Sequence, residues 1–508
     1  MTKSILRRKK RMSMNVDMKA RYAELKLGQD AIDEIEEAYA KAKIAQREFE
    51  TWSQEQIDRT IQSVAQIVAN SHNFHELVMM GIEESNFGDP VSREAKRFKI
   101  RGILRDCLRQ KSVGIIEEIP EKRIVKYAKP VGIIACVIPA TNPDLTPAGN
   151  AIYAIKARNA IIFSPHPRTK NTSRRTIELM REGLKRVGAP EDLVQILGQK
   201  AKINKATSEA LMSRCDLIIA TGGQGVVSRA YTSGTPAYAV GAGNATMVWD
   251  ETAAQDLNKA AFNTMRSKTS DFGSGCSADG NIVIHESIWD AALNELVAVG
   301  GYMLSAQEQE AMKNAMWDEE IHRLADTVAL SPQDMAKAAG FEIPEDRKFL
   351  IASHGTGVFN ASKEGIWCRE KLTTLLAVHK YTGEFQNAID SVMAIHEVGG
   401  IGHSVGIFSF DEDHIHRLAM VARVGRIMVR QPQSKANSGS MNNGMPMTSS
   451  IGCGTWAGNA TSENVHLHHY MNVTWVSKEL DQADSPSDEE LFGEFYDPEL
   501  EKVQYSKY

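Results

Sequence analysis

Cys276 is a thiol in unusually open company. Residues 271–280 read DFGSGCSADG, so Gly273, Ser274 and Gly275 precede it and Ser277 and Ala278 follow. A cysteine used for packing usually sits among apolar residues, whereas small neighbours let backbone and substrate approach closely. This stretch alone allows either an ordinary loop containing a cysteine or a loop cleared for a nucleophile. Three other segments bear on the choice. IPATNPDLTP (138–147) is stiffened by Pro139, Pro143 and Pro147 and presents Asn142, whose amide can donate a hydrogen bond or cap the next helix. SPHPRTK (164–170) places His166, Arg168 and Lys170 where a phosphate or solvent can sit. ATGGQGVVSRAYTSGTP (220–236) pairs Gly222 with Gly223 ahead of a helix pattern, where N–H groups can meet a phosphate. It is a weak dinucleotide signal, because Ser228 stands where GxGxxG ends in glycine. Together the pieces fit one reaction. A thiol attacks a carbonyl, an amide donor stabilises the oxyanion by ~3 kcal/mol, and the glycine-rich and basic turns hold a dinucleotide that takes a hydride.

The elements that must position these residues alternate in type. Ile32, Ile35, Tyr39 and Ala42 recur at helical spacing within 30–50, and Ser53 with Gln56 fits a capping box for a second helix. VGIIACVI (131–138), AIIFSP (160–165), VQIL (194–197) and DLIIATGG (216–223) read as strands. Between them lie helices after Pro147 and over about 171–187 and 203–213. Strands alternating with helices predict a parallel sheet covered on both faces, with ligands at the strands' carboxyl ends. NIVIH (281–285), LLAVHKY (375–381), SVGIFSF (404–410) and RIMVR (426–430) predict a second α/β segment over about 252–446.

Composition bounds the rest. A chain of 508 residues holds roughly two to four domains. A net charge of −5 gives no global case for nucleic acid. The six cysteines (107, 136, 215, 276, 368, 453) include no CxxC pair, which fits a reducing compartment and a cytoplasmic protein. The basic run from Arg7 to Arg11 has no apolar segment after it, so no secretory signal is expected. The longest apolar stretch, VGIIACVIPA, is too short to span a membrane. The acidic tail carrying DSPSDEE reads as a surface-lying extension. VHLHHYMNV (465–473) reads as alternating, which puts His466 and His468 on one strand face; no third ligand is evident, so no metal is expected.

Seven ordered blocks complete the picture: KPVGIIACVIPATNP, ARNAIIFSPHPRTKN, ATGGQGVVSRAYTSGTPAYAVGAGN, the Cys276 loop, CREKL, GGIGHSVGIFSFD and IGCGTWAGNATSENV. With them the chain, from about 30 to 478, resembles the aldehyde dehydrogenase superfamily. Within it the likeness is to the CoA-acylating branch, which includes CoA-acylating succinate-semialdehyde dehydrogenase and the aldehyde dehydrogenase half of bifunctional aldehyde–alcohol dehydrogenases. The resemblance implies an aldehyde dehydrogenase-like α/β fold, two doubly wound α/β lobes plus a small oligomerisation β-element. It divides the chain into a basic extension (1–29), a dinucleotide-binding domain (30–251, with oligomerisation strands near 118–130) and a catalytic cysteine domain (252–446). A return segment with an oligomerisation strand (447–478) and an acidic tail (479–508) follow.

The resemblance also implies roles. Cys276 matches the nucleophile, Asn142 the oxyanion-hole amide, and His403 a histidine near the active site of the acylating branch. Ile138, Pro139, His166, Pro167, Arg168, Thr221, Gly222, Gly223, Gly241 and Glu370 match cofactor-binding positions, Glu370 the one that holds the nicotinamide ribose. The cofactor implied is NAD or NADP, with a lean to NAD, and CoA is the co-substrate. Hydrolytic relatives carry a water-activating glutamate where this chain reads AVGAGN (239–244), so thiolysis is expected over hydrolysis. CSADG (276–280) departs from the family's usual C-S/A-S-E-Q, which bears on the substrate. Arg266 and Lys435 are candidates to meet an anionic tail, as in succinate semialdehyde or sulfoacetaldehyde, with acetaldehyde the simpler alternative. A homodimer or homotetramer is expected. The rival readings are a hydrolytic dehydrogenase and a non-catalytic assembly protein.

Overall fold

The structure is a computed structural model that describes residues 17–241, 243–354, 365–481 and 484–500. The basic run at Arg7–Arg11 lies outside the described residues. An antiparallel pair opens the β structure, β1 (Ile115–Ile119) with β2 (Ile124–Pro130). Five strands then form one parallel sheet: β3 (Ile133–Val137), β4 (Ala160–Ser164), β5 (Val194–Ile196), β6 (Leu217–Thr221) and β7 (Ala237–Val240). Their order is β5-β4-β3-β6-β7. Every residue of β3 and β4 is buried, as expected for strands covered on both faces. Seven more parallel strands follow: β8 (Thr246–Trp249), β9 (Asn281–His285), β10 (Gly301–Met303), β11 (Phe349–His354), β12 (Leu375–Tyr381), β13 (Val405–Phe408) and β14 (Ile427–Val429). They are ordered β10-β11-β12-β9-β8-β13-β14. Finally β15 (Met471–Ser477) returns to pair antiparallel with β2.

This is the predicted architecture, with differences of detail. The strands β7, β8, β10 and β11 are not legible as periodic runs, since stretches of three to six residues look alike in strand and helix. The strand β8, read with the first lobe, joins the second sheet beside β9 and β13. Met447, Val465, Leu467 and Tyr470 pack back into the first lobe's core. The alternating reading of 465–470 is corrected: Leu467–Tyr470 is a 3₁₀ turn, and the strand begins only at Met471. Leu467 and Tyr470 are both fully buried. Their i, i+3 spacing shares a face in a 3₁₀ turn but not in a strand. The turn also gathers His469 and Glu463 beside His466 and His468, so the expectation that no third ligand is present is corrected too.

The topology fixes where chemistry can occur. In the first sheet the chain runs outward from β3 through β4 to β5, then returns to place β6 on the other side of β3. The crevice at the carboxyl ends of β3 and β6 is therefore a switch point, the usual ligand site of such sheets. Residues 241–245 alone separate β7 from β8. That short link brings the carboxyl edge of the first sheet against the amino edge of the second.

Candidate active site

Four segments lie at that amino edge: 241–245 before β8, the Cys276 loop before β9, CREKL before β12, and His403 before β13. Three asparagine-mediated bonds tie the first three together. Asn244 Nδ2 donates to the Cys368 carbonyl at 2.8 Å, Asn281 Nδ2 donates to the same oxygen at 3.2 Å, and it also donates to Asn244 Oδ1 at 3.2 Å.

The Cys276 loop is held in an unusual backbone path. Asp271, Phe272 and Gly273 have φ of 50°, 49° and 69°, a left-handed run that costs the two non-glycine residues energy. A side chain on Gly273 would collide with the Thr373 carbonyl. Asp271 fastens the turn. Its buried carboxylate accepts from Arg93 Nε (2.9 Å), Lys96 Nζ (2.7 Å), the Asp89 amide (3.0 Å) and Ser274 Oγ (2.9 Å). Burial alone would raise its pKa, but Lys96 and Arg93 hold it down to about 2.

At the end of this loop Cys276 Sγ lies 3.2 Å from His403 Nε2. His403 Nδ1 lies 2.8 Å from Ser404 Oγ, which accepts from Asn437 Nδ2 at 2.8 Å. With its proton on Nδ1 and donated to Ser404, the ring turns the Nε2 lone pair to the thiol. Arg426 fixes the backbone here, donating to the His403 carbonyl at 2.8 Å. Burial pushes the Cys276 thiol up to about 12, with Glu370 adding to the rise. Burial, helped by Arg426, pushes His403 down to about 3. The resting pair is therefore neutral, a thiol donating to an imidazole. The open alternative for Cys276, an ordinary loop cysteine, does not fit a thiol aimed at an oriented base.

The turn before β8 lies directly on the nucleophile. A Cβ on Gly243 would collide with the Cys276 carbonyl. The Gly243 amide donates to Glu370 Oε1 at 2.8 Å. Burial pushes the Glu370 carboxyl up to about 8, against the pull of that amide and of Lys268, Arg323 and Lys371. Glu370 is thus mainly a neutral acid near pH 7.

Asn142 does not cap the helix Leu145–Lys156; Asp144 does, accepting from the Leu145 amide. Instead Asn142 Oδ1 accepts from Lys96 Nζ at 2.7 Å, leaving Nδ2 as the amide's donor end. Lys96 thereby joins Asn142 to Asp271 and so to the Cys276 loop. Nothing in SREAKRFKI marks Lys96 among its basic neighbours, and sequence reasoning missed it. Lys435 Nζ donates to Ser270 Oγ at 2.6 Å, within the same loop. Its pKa is lowered by burial and then by the charges of Lys96 and Arg266. Arg266 itself is exposed, its guanidinium 5.8 Å from the Phe262 ring centre.

The remaining predicted positions line the carboxyl edge of the first sheet. Ile138 and Pro139 follow β3; His166, Pro167 and Arg168 follow β4; Thr221, Gly222 and Gly223 end β6 or follow it; Gly241 follows β7. Gly223 begins the helix Gln224–Thr232 with no side-chain cap, and open space lies where its Cβ would be. Free amides at a helix start suit a pyrophosphate, so the residues present fit a dinucleotide. His166 Nδ1 accepts from the Arg168 amide at 3.2 Å, and the Arg168 guanidinium lies 5.0 Å from the Phe87 ring centre.

Comparisons with known proteins agree with this geometry. A family model described as "Aldehyde dehydrogenase family" matches residues 22–476. The chain is 38% identical over 460 residues to a sulfoacetaldehyde dehydrogenase of Acholeplasma, covering 90% of this chain and 93% of that one. It is 36% identical over 462 residues to a succinate-semialdehyde dehydrogenase (acetylating) of Clostridium kluyveri, covering 90% and 99%. The crystal structure of an acetylating aldehyde dehydrogenase from Geobacillus thermoglucosidasius superposes with a TM-score of 0.84 at 33% identity, over 90% of this chain and 98% of that one.

Proposed function

This chain belongs to the aldehyde dehydrogenase family, and we propose that it is a CoA-acylating member, interconverting aldehyde, CoA and NAD(P)+ with acyl-CoA and NAD(P)H. The observation that carries the reading is the turn at Gly243. It lies against Cys276 too closely for any side chain, and its stretch, AVGAGN, holds no carboxylate to activate water. Glu370 is a poor substitute base, being largely protonated at neutral pH and engaged by the Gly243 amide. A CoA thiol is the better nucleophile for such a site.

The protein's own residues then divide the work. Cys276 Sγ attacks the carbonyl carbon and its proton passes to His403 Nε2. Asn142 Nδ2 and the Cys276 amide stabilise the developing oxyanion, with Lys96 holding the other end of the Asn142 amide. A nicotinamide dinucleotide, when bound, would supply the hydride acceptor. The positions at 138–139, 166–168, 221–223, 241 and Glu370 are those that would hold it. Cys276 is left as an acyl thioester. His403 Nε2 first gives up the Cys276 proton to solvent, then takes the CoA thiol proton as that sulfur attacks and returns it to Cys276 as it leaves.

For the aldehyde we favour a short chain with an anionic tail. Lys96 and Lys435 meet at the Cys276 loop, Arg266 adds its charge, and the two relatives described act on aldehydes named for a sulfonate and a carboxylate. NAD is favoured over NADP, because Arg168 already rests on Phe87 and His166 on the Arg168 amide. A homodimer or homotetramer is supported by β15, where Val473, Trp475 and Val476 are exposed. Among the described residues no helix is long and apolar enough to cross a membrane.

The test is reduced-nicotinamide formation from sulfoacetaldehyde, succinate semialdehyde and acetaldehyde, with and without CoA. Turnover that needs CoA, and disappears in Cys276→Ala, is expected. Free acid formed without CoA would replace the reading by a hydrolytic one. Folded protein inert toward all three aldehydes would favour an assembly role.

A further inference from the structure

We propose that Glu463, His466, His468 and His469 form a binding site for a Zn²⁺-type divalent metal ion, separate from the catalytic residues. One ligand atom from each lies within 4.8 Å of all the others. Glu463 Oε2 stands 3.1 Å from His468 Nε2, 3.7 Å from His469 Nε2 and 4.0 Å from His466 Nε2. Ligands at about 2.0–2.1 Å from a tetrahedral zinc are roughly 3.3 Å apart. The four groups therefore close on an ion by small side-chain rotations.

The chemistry of the set favours the ion. Three imidazoles and one carboxylate are borderline donors suited to zinc and its late transition-metal neighbours. His469 Nδ1 lies 3.3 Å from the His466 carbonyl. The His466 amide N lies nearer to the same Nδ1, at 3.1 Å, so this backbone holds the Nδ1 edge of the ring and leaves Nε2 facing the cluster. His466 Nδ1 is buried without a hydrogen-bond partner. Glu463 and His468 are half exposed, which gives an ion a path in from solvent. The other histidine–carboxylate group, Asp250, Glu251 and His414, lacks this freedom, since Asp250 is already bonded to His414 at 2.7 Å and to Ser409.

The site joins two elements. The His469 ring meets Tyr238 of β7 edge-on at 4.7 Å, and the turn runs straight into β15. A bound ion would fasten the base of β15, and with it the β1-β2-β15 sheet, to the edge of the first sheet.

The test uses the full chain carrying Cys276→Ala, which removes the thiol as a competing ligand. Protein stripped with a chelator is dialysed against Zn²⁺, and retained metal is counted. Co²⁺ is added separately and its visible spectrum recorded. One equivalent per chain, a four-coordinate Co²⁺ band and a Zn²⁺-dependent rise in Tm are expected. In His466→Gln/His468→Gln the affinity should fall about 10-fold or more. Circular dichroism and an unchanged metal-free Tm would establish that the double variant folds. Retention near zero, or retention equal in the double variant, would overturn the site.

Discussion

At the scale of single residues, the chemistry rests on a neutral thiol–imidazole pair. With the Cys276 thiol near 12, only a small thiolate fraction exists at pH 7. Alkylation of Cys276 by iodoacetamide should therefore be slow at pH 7 and rise about tenfold per pH unit to beyond pH 10. A profile already flat at pH 7 would mean a preformed thiolate–imidazolium pair. His403→Ala should lower kcat by roughly 10² to 10⁴, since the thiol loses the base that takes its proton during attack. Lys96 can be separated from a tail-binding role by its substrate dependence. If it positions Asn142, Lys96→Met should cut kcat/KM by about 10-fold or more for acetaldehyde and sulfoacetaldehyde alike, with partial recovery in Lys96→Arg. A loss confined to the anionic aldehyde would assign Lys96 to the tail instead.

At the scale of elements, the placement of loops against strands decides function. The amino-edge loops before β8, β9, β12 and β13 are packed backbone against backbone. Gly243→Ala should thus lower both Tm and activity, the latter by tenfold or more, because the new methyl displaces Cys276. Loss of Tm with full activity retained would show that the turn yields without disturbing the thiol. The same elements explain what the sequence discloses. Cys276 and Asn142 are legible because each lies in a contiguous motif of small or proline-rich residues at a strand boundary, whereas His403 enters only through the resemblance of its block, GGIGHSVGIFSFD. Lys96 is not legible, because its meaning lies in contacts to Asn142, 46 positions away, and to Asp271, 175 positions away. Asp271 and Asn437 are hidden for the same reason. The Glu463–histidine group is half visible: three histidines stand in a short run, but a period-two reading sends His469 to the opposite face. Only the 3₁₀ turn, fixed by the buried Leu467 and Tyr470, brings it back.

At the scale of the whole molecule, two parallel sheets meet edge to edge, and titratable groups buried in and around the second sheet set how the protein responds to acid. His354, His396 and His403 are pushed by burial from 6.5 to about 4, 4 and 3. Below pH 6.5 the unfolded chain takes up protons that these folded rings refuse, so stability falls as pH falls, until the folded values are reached. Glu370 and Asp279 oppose this. Burial raises them from 4.5 to about 8 and from 3.8 to about 7, so the folded state gains protons first and is favoured as pH falls toward 4.5. The opposition from Glu370 ends near pH 4.5 and that from Asp279 near pH 3.8, where the unfolded carboxyls are also protonated. His396 isolates the effect: both its ring nitrogens are buried without partners, and burial is the sole cause of its shift. His396→Leu should leave urea-unfolding stability near pH 8 within about 1 kcal/mol of the parent. Near pH 4 it should be more stable than the parent by about 3 kcal/mol, the linkage value of its proton. Parallel stability curves for parent and variant across that range would mean that His396 is solvated or partnered in solution, and that the surroundings of the second sheet are wetter than the packing describes.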